Sequence, residues 1–206
     1  SLNAQNAIIP VSESIIKFTG DEVSRAENIV FDGIAFRHTG WTWSLHNSIV
    51  TNQANLFLFS TRPQDSTYRL GRSKKRTPGI IDGEGVRNLT IRNCIINLSG
   101  GSGIFLRRFI NDVNIVGNII RDNSGGGIEI SDDFYKADNG WFPENIRIAN
   151  NYISDCNNQW HAGCGIAALF ASNVTVEHNH LVNLPYTGIS VGWGWDTFTP
   201  EMNRNW

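Results

Sequence analysis

The chain holds 206 residues, 40% of them apolar and only 17% charged, with a formal net charge of −2 at pH 7. That length suits one core or two small ones, and the weakly acidic balance argues against nucleic acid as a partner. No run approaches the roughly 18 apolar residues of a membrane span, and Ser1-Leu-Asn-Ala lacks the basic-then-apolar layout of a secretory leader.

The first patterned stretch is Ile29-Val-Phe31-Asp-Gly-Ile34-Ala-Phe36, a faint copy of a template that recurs more clearly from Leu89, Val113, Ile146 and Val174. In those four segments the first, third and eighth places are apolar. The sixth is small or an amide (Cys94, Asn118, Asn151, Asn179), and each segment later reaches a Gly-Ile pair, at Gly103, Gly127, Gly165 and Gly188. Alternating apolar places have the period of a strand with one buried face, and helical periodicity is nowhere convincing. Leu89 and Val113 are 24 residues apart, too few for a strand-helix-strand crossover with its loops but enough for three short strands and three turns. The pattern predicts an all-β chain, a parallel β-helix with coils of about 22–24 residues, spanning 1–206 as one domain. Solenoids need polar caps, and neither the start nor Asn203-Arg-Asn-Trp206 shows one, as expected of a segment cut from something larger.

In such a coil, equivalent residues of successive turns stack about 4.8 Å apart, so sequence columns become physical columns. Asn118, Asn151 and Asn179 fall where the alternation breaks, which places their amides at a turn, pointing inward and bonding to the next coil. Cys94 shares that column and reads as a buried free thiol. Cys156 and Cys164 flank His161 in a Cys-x4-His-x2-Cys spacing that fits a structural metal, a loop-closing disulfide or plain packing.

Three excursions interrupt the coil, at 37–86, 131–144 and 154–163. The first carries Arg69, Arg72, Lys74, Lys75 and Arg76, which read as a solvated hairpin tip. An apolar outward column, Ile95, Ile119 and Tyr152, ought not to face water. It is expected to lie beneath the 37–86 insertion or a neighbouring domain.

Function normally sits on loops displayed by a rigid scaffold. Glu129 lies between Ile128 and Ile130 and must point out of the coil; Phe105, Ala167 and Ser190 hold the equivalent places. The turns that follow bring Arg107 and Arg108, then Ser131-Asp132-Asp133 with Lys136, Asp138 and Trp141, then Trp193, Trp195 and Asp196. Asp132 aligns with Arg108, so an inter-coil ion pair competes with a catalytic role. Glu129 has a similar alternative in Arg107. Asp122 and Asp155 align with Asn183 at a turn and read as structural.

Glycoside cleavage needs two acids flanking the scissile bond, about 5–5.5 Å apart for retention and roughly 6.5–9.5 Å for inversion. Adjacent and next-but-one coils supply those distances. Glu129, Asp132, Asp133 and Asp196 are the candidate acids. Arg107, Arg108, Trp141, His161, Tyr186, Trp193 and Trp195 are the candidate sugar contacts. The glycines of Gly192-Trp-Gly-Trp195 leave no neighbouring side chains to bury the two indoles.

Asn173 to Trp195, above all Leu184-Pro-Tyr-Thr-Gly-Ile-Ser-Val-Gly-Trp-Gly-Trp195, resembles a segment of secreted bacterial β-helix glycoside hydrolases of the kind grouped as families 120 and 141. Ala7-Ile-Ile-Pro10 and the stretch from Asn28 to Trp41 resemble the part by which such proteins enter the helix after an inserted β domain. The resemblance implies a right-handed, single-stranded parallel β-helix acting outside the cytoplasm on xylosidic, fucosidic or related linkages of plant or microbial polysaccharides. It implies paired carboxylates, no cofactor, and further coils or a neighbouring domain packed against this one.

Two other functions fit the residues. A polysaccharide lyase or epimerase would need a basic residue to abstract a proton, with Arg107, Arg108 or Lys136 nearby, and often a calcium ion, for which Asp132, Asp133 and Asp138 are the ligands to expect. A non-catalytic carbohydrate-binding or surface module would bind sugar without chemistry. Fold alone does not separate the three.

Overall fold

The computed structural model describes residues 7–42, 49–60, 72–131 and 142–192. The first coil is β1 (Ile16–Thr19), β2 (Ala26–Asp32) and β3 (Ala35–Thr39). An insertion follows, made of β4 (Ile49–Gln53), β5 (Leu56–Ser60) and β6 (Arg72–Arg76). The coil then resumes with β7 (Gly79–Glu84), β8 (Val86–Arg92) and β9 (Ile95–Ser99), and continues through β10 (Ser102–Leu106), β11 (Ile110–Val116) and β12 (Ile119–Arg121). Next come β13 (Ile128–Ser131), β14 (Glu144–Ala149) and β15 (Tyr152–Ser154), then β16 (Cys164–Leu169), β17 (Ser172–Glu177), β18 (His180–Val182) and finally β19 (Thr187–Val191).

Every third strand stacks. Sheet A runs β1-β7-β10-β13-β16-β19, sheet B β17-β14-β11-β8-β2 and sheet C β18-β15-β12-β9-β3, and every pairing within these three sheets is parallel. This is the parallel β-helix that the periodicity predicts. Among the described residues no helix is long and apolar enough to cross a membrane.

The alternating apolar places converge on the interior. Ile81, Ile104, Ile128 and Ile166 form one ladder in sheet A, and Leu89, Val113 and Ile146 another in sheet B, none more than 2% exposed. Each such side chain contributes about 1.5–3 kcal/mol by leaving water. The Gly-Ile pairs are explained by the same interior: a Cβ on Gly103 would lie 2.9 Å from Ile120 Cγ2, and one on Gly127 2.8 Å from Ile153 Cγ2.

The corners repeat as strictly as the strands. Asn28, Asn88, Asp112, Asn145 and Asn173 all have φ between +49° and +59°, a left-handed backbone that Asn and Asp tolerate best among residues with a Cβ. Two more such columns are Gly33, Asn93, Gly117, Asn150 and His178, and then His38, Leu98, Asp122, Asp155 and Asn183. Asp122 and Asp155 are therefore corner residues, as their alignment with Asn183 indicates.

The inward asparagine column holds too. Asn118 Nδ2 donates to Asn151 Oδ1 and Asn151 Nδ2 to Asn179 Oδ1, both at 2.9 Å, and the Cys94 amide joins the ladder through Asn118 Oδ1 at 2.9 Å. All three cysteines are free and buried. Cys156 belongs to the coil interior, whereas Cys164 packs outside sheet A with Ala54, Ala167, Leu169 and Phe170. The sheet itself separates the two thiols. That separation speaks against the disulfide and agrees with plain packing.

The excursion is shorter and more regular than the sequence indicates. Arg37 to Thr39 belong to β3, and Gly79–Glu84 is a sheet A strand. Between them β4, β5 and β6 form an antiparallel sheet whose two-residue turn, Ala54-Asn55, has both residues at positive φ, as a type I′ hairpin requires. This sheet docks on the outer face of sheet A. The Ala54 amide donates to Ala162 O and Asn55 Oδ1 accepts from the Cys164 amide, each at 2.8 Å, while Trp41, Phe57 and Trp160 meet edge to face at 5.3–5.4 Å.

That docking corrects two placements. Of the two covers expected for sheet C's outer column, the insertion is not the one: Ile119 and Tyr152 are 41% and 40% exposed. Arg76 is not at a solvated tip either, being buried against the rod. In both cases packing of the apolar hairpin face on sheet A outweighs what local composition suggests.

Candidate functional site

One outward column of sheet A runs Lys17, Asp82, Phe105, Glu129, Ala167 and Ser190. The insertion divides it. Over Glu129 and Ala167 the docked hairpin excludes water, and neither residue has exposed surface. Beside Lys17, Asp82 and Phe105 the hairpin stops, leaving a cleft of about 420 Å³. Those three residues and Arg107 line it together with residues 75–78 from the end of the insertion and residues 12–14 from the segment before β1.

Asp82 is 3% exposed and reaches this cleft. Its Oδ1 pairs with Arg107 Nη2 at 3.0 Å and its Oδ2 accepts the Gly79 amide at 2.9 Å, so both oxygens are held by donors and the carboxylate has a fixed orientation. Arg107 also lies over the Phe105 ring, 4.9 Å from its centroid. Behind the wall, Arg76 Nη1 bonds Glu129 Oε1, and Ser131 Oγ donates to the same oxygen at 3.3 Å. Arg76 lines the cleft while Glu129 does not. Glu129 thus fixes the position of a cleft arginine and has no access of its own.

The nearby thiols are not nucleophiles. Burial pushes Cys164 up to about 12, with the charge of Glu129 adding to the effect, and burial likewise pushes Cys156 up to about 12. A reactive cysteine needs the opposite shift.

The family model for the right handed β-helix region matches residues 32–203. The chain belongs to the right-handed β-helix family. Handedness, which strand alternation alone leaves open, follows from this membership and agrees with the sequence resemblance. A solved β-helix structure titled "Glycoside hydrolase" is similar, with a TM-score of 0.77 and 21% identity over 91% of this chain. The match covers 34% of that structure's chain, so the present chain spans about a third of its length. Among curated proteins no sequence matches.

The residues expected at the site separate within this β-helix. Arg107 lines the cleft. Arg108 points to the neighbouring corner, where its Nε lies 3.8 Å from Glu84 Oε2. Tyr186 is 52% exposed and its hydroxyl meets Gln53 Nε2 at 3.4 Å, which ties it to the β4–β5 turn. His161 is exposed, with its ring nitrogen 2.9 Å from Asn158 O, and is not among the residues lining the cleft. Glu129 points out of the coil as expected, yet it is buried and paired with Arg76 in place of Arg107. Asp132, Asp133, Lys136, Asp138, Trp141, Trp193, Trp195 and Asp196 lie outside the described residues.

Asp82, Lys17 and Lys75 were not legible as site residues. Asp82 shares its column with Phe105 and Glu129, but Ile80 occupies the place of the Gly in the Gly-Ile pair, so its strand lacks the signature. The pairing of Ile81 with Ile104 is the signal that finds it.

Proposed function

We propose that this β-helix is a glycoside hydrolase, or the β-helix portion of one, acting outside the cytoplasm on a plant or microbial poly- or oligosaccharide at the outer face of sheet A. The observation that carries the reading is the cleft with an oriented, nearly buried carboxylate, Asp82, on its floor. The likeness to a structure titled glycoside hydrolase supports it through the fold.

In this reading Asp82 is the carboxylate that activates water or attacks the anomeric carbon, and a second acid protonates the departing glycosidic oxygen. Asp132 and Asp133 follow β13 in sequence and are the candidates for that acid.

The test is release of reducing sugar from a panel of aryl glycosides and polysaccharides. Asp82→Asn should lower kcat at least about 10³-fold in a variant that still unfolds in one cooperative transition. Turnover by the parent that survives in Asp82→Asn would overturn the assignment of Asp82.

Lys17, Lys75 and Arg107 beside Asp82 favour a second reading, a polysaccharide lyase or epimerase, in which a basic side chain removes a proton. An unsaturated product absorbing in the near ultraviolet, with no water added, would support it against hydrolysis.

A further inference from the structure

We infer that the three-stranded insertion is a lid on the outer face of sheet A, which opens while the rod stays folded and uncovers Glu129 in line with Asp82. Asp82, Phe105 and Glu129 occupy one outward column on β7, β10 and β13. Asp82 reaches the cleft, whereas Glu129 lies under the docked hairpin with no exposed surface. Opening lengthens the cleft along the coils and adds a second carboxylate to it. The inference stands whatever chemistry the cleft performs.

The lid is built apart from the rod. Its strands form their own antiparallel sheet, and among the described residues none of them pairs with a strand of sheets A, B or C. Both of its ends are pinned by buried hydroxyl pairs, Thr39 Oγ1 to Ser99 Oγ at 3.0 Å and Thr77 Oγ1 to Ser102 Oγ at 2.6 Å, so the hinges stay with the rod. Between the hinges the apolar seat is a satellite cluster of Ala54, Cys164, Ala167, Leu169 and Phe170, separate from the core inside the coils.

The rest of the seam is polar, and water can take polar groups back. Arg76 and Glu129 recover their hydration on opening, which offsets much of the attraction that is lost. Asn55 fits a slot between two glycines: a Cβ on Gly126 would lie 2.5 Å from Asn55 Nδ2, and one on Gly163 would collide with Asn55 Oδ1. Among the described residues, however, Asn55 Nδ2, Asn157 Nδ2, Asn157 Oδ1 and Trp160 Nε1 are buried without a hydrogen-bond partner. These atoms raise the free energy of the closed form and are relieved when water enters. Elements that move over a site belong to the least stable part of a fold.

The cysteines report the opening. Cys164 lies under the lid, while Cys94 and Cys156 belong to the coil interior. Native-state labelling of the full chain with an uncharged thiol reagent, read by peptide mass, should modify Cys164 at least about a hundredfold faster than the other two. Carbodiimide coupling of glycinamide to Glu129 should rise with the Cys164 label. Asn55→Gly suits the positive φ of the turn but empties the slot, and should speed labelling of Cys164 about tenfold with Cys156 unchanged. Amide exchange at Ala54, set against Ile104 in sheet A, is a second measurement that needs no variant and should be faster at Ala54. Equal labelling of all three cysteines, or an Asn55→Gly variant that accelerates them alike, would show that insertion and rod unfold together and overturn the inference. Label at Cys164 with Glu129 unmodified would confine the opening to the hairpin turn and overturn the lid.

Discussion

The ion pair between Arg76 and Glu129 joins the insertion to the rod, and its side chains are 2% and 0% exposed. Glu129→Ala leaves a guanidinium buried beneath the hairpin with its principal counter-charge removed, a situation that costs about 3–5 kcal/mol. With a urea m-value of about 2–3 kcal/mol/M for a chain of this size, the unfolding midpoint should fall by about 1–2 M. Arg76→Met leaves the carboxylate buried instead and should cost a similar amount. Because each single change strands the other member of the pair, Arg76→Met combined with Glu129→Leu should recover most of the loss, and a cycle with Arg76→Met and Glu129→Leu as its singles should give a coupling of at least about 3 kcal/mol. The assay is urea unfolding followed by tryptophan fluorescence, supported by amide exchange at Cys164, whose N–H is held by Asn55 of the hairpin turn. Exchange there should accelerate in Glu129→Ala before global unfolding does. Additivity within about 0.5 kcal/mol, or unchanged exchange at Cys164, would show that the insertion is held by its aromatic contacts and that the ion pair does not clamp it.

Two further expectations concern the rod. The unfolded thiol of Cys156 titrates near 9.0, whereas in the fold burial holds it at about 12. The fold therefore keeps a proton that the unfolded chain loses: the contribution is intact below about pH 9 and declines above it by about 1.4 kcal/mol per pH unit. The urea midpoint should drop between pH 8 and pH 10.5, and Cys156→Ala should flatten that drop; an identical slope in the variant would remove burial of this thiol as its cause. Asn151→Ala deletes the acceptor for the Asn118 amide and side chain and the donor to Ile115 O and Asn179, all at 2.9–3.0 Å, and should cost about 3–5 kcal/mol. A melting temperature within about 2 °C of the parent would show that the ladder is dispensable.

What the sequence disclosed and what it hid divide along a physical line. Strand alternation at Leu89, Val113, Ile146 and Val174 and the amides at Asn118, Asn151 and Asn179 are legible because stacked coils place identical demands on equivalent positions. The corner residues Asp122, Asp155 and Asn183 are legible for the same reason, since a left-handed backbone narrows the choice of residue. The docking face of the insertion is hidden, because Ala54, Asn55 and Phe57 find their partners at Cys164, Ala162 and Trp160, more than a hundred residues on, with no repeat to announce them. Glu129 shows both sides. Its outward direction follows from Ile128 and Ile130, while its burial depends on Arg76, which arrives from the insertion. Asp82 was hidden by a single Ile at a place where four other coils have Gly.

The cleft has a floor contributed by the repeating coils and a wall contributed by residues that close the insertion. These two parts answer to separate structural demands. A change at Ile81 or Ile104 propagates into every neighbouring coil, so the floor can vary only in its outward side chains. The three-stranded insertion enters and leaves the rod between β3 and β7, and it can be lengthened, recharged or exchanged without altering any register in sheets A, B or C. The wall of the cleft can therefore be redesigned through one appendage while the scaffold remains as it was.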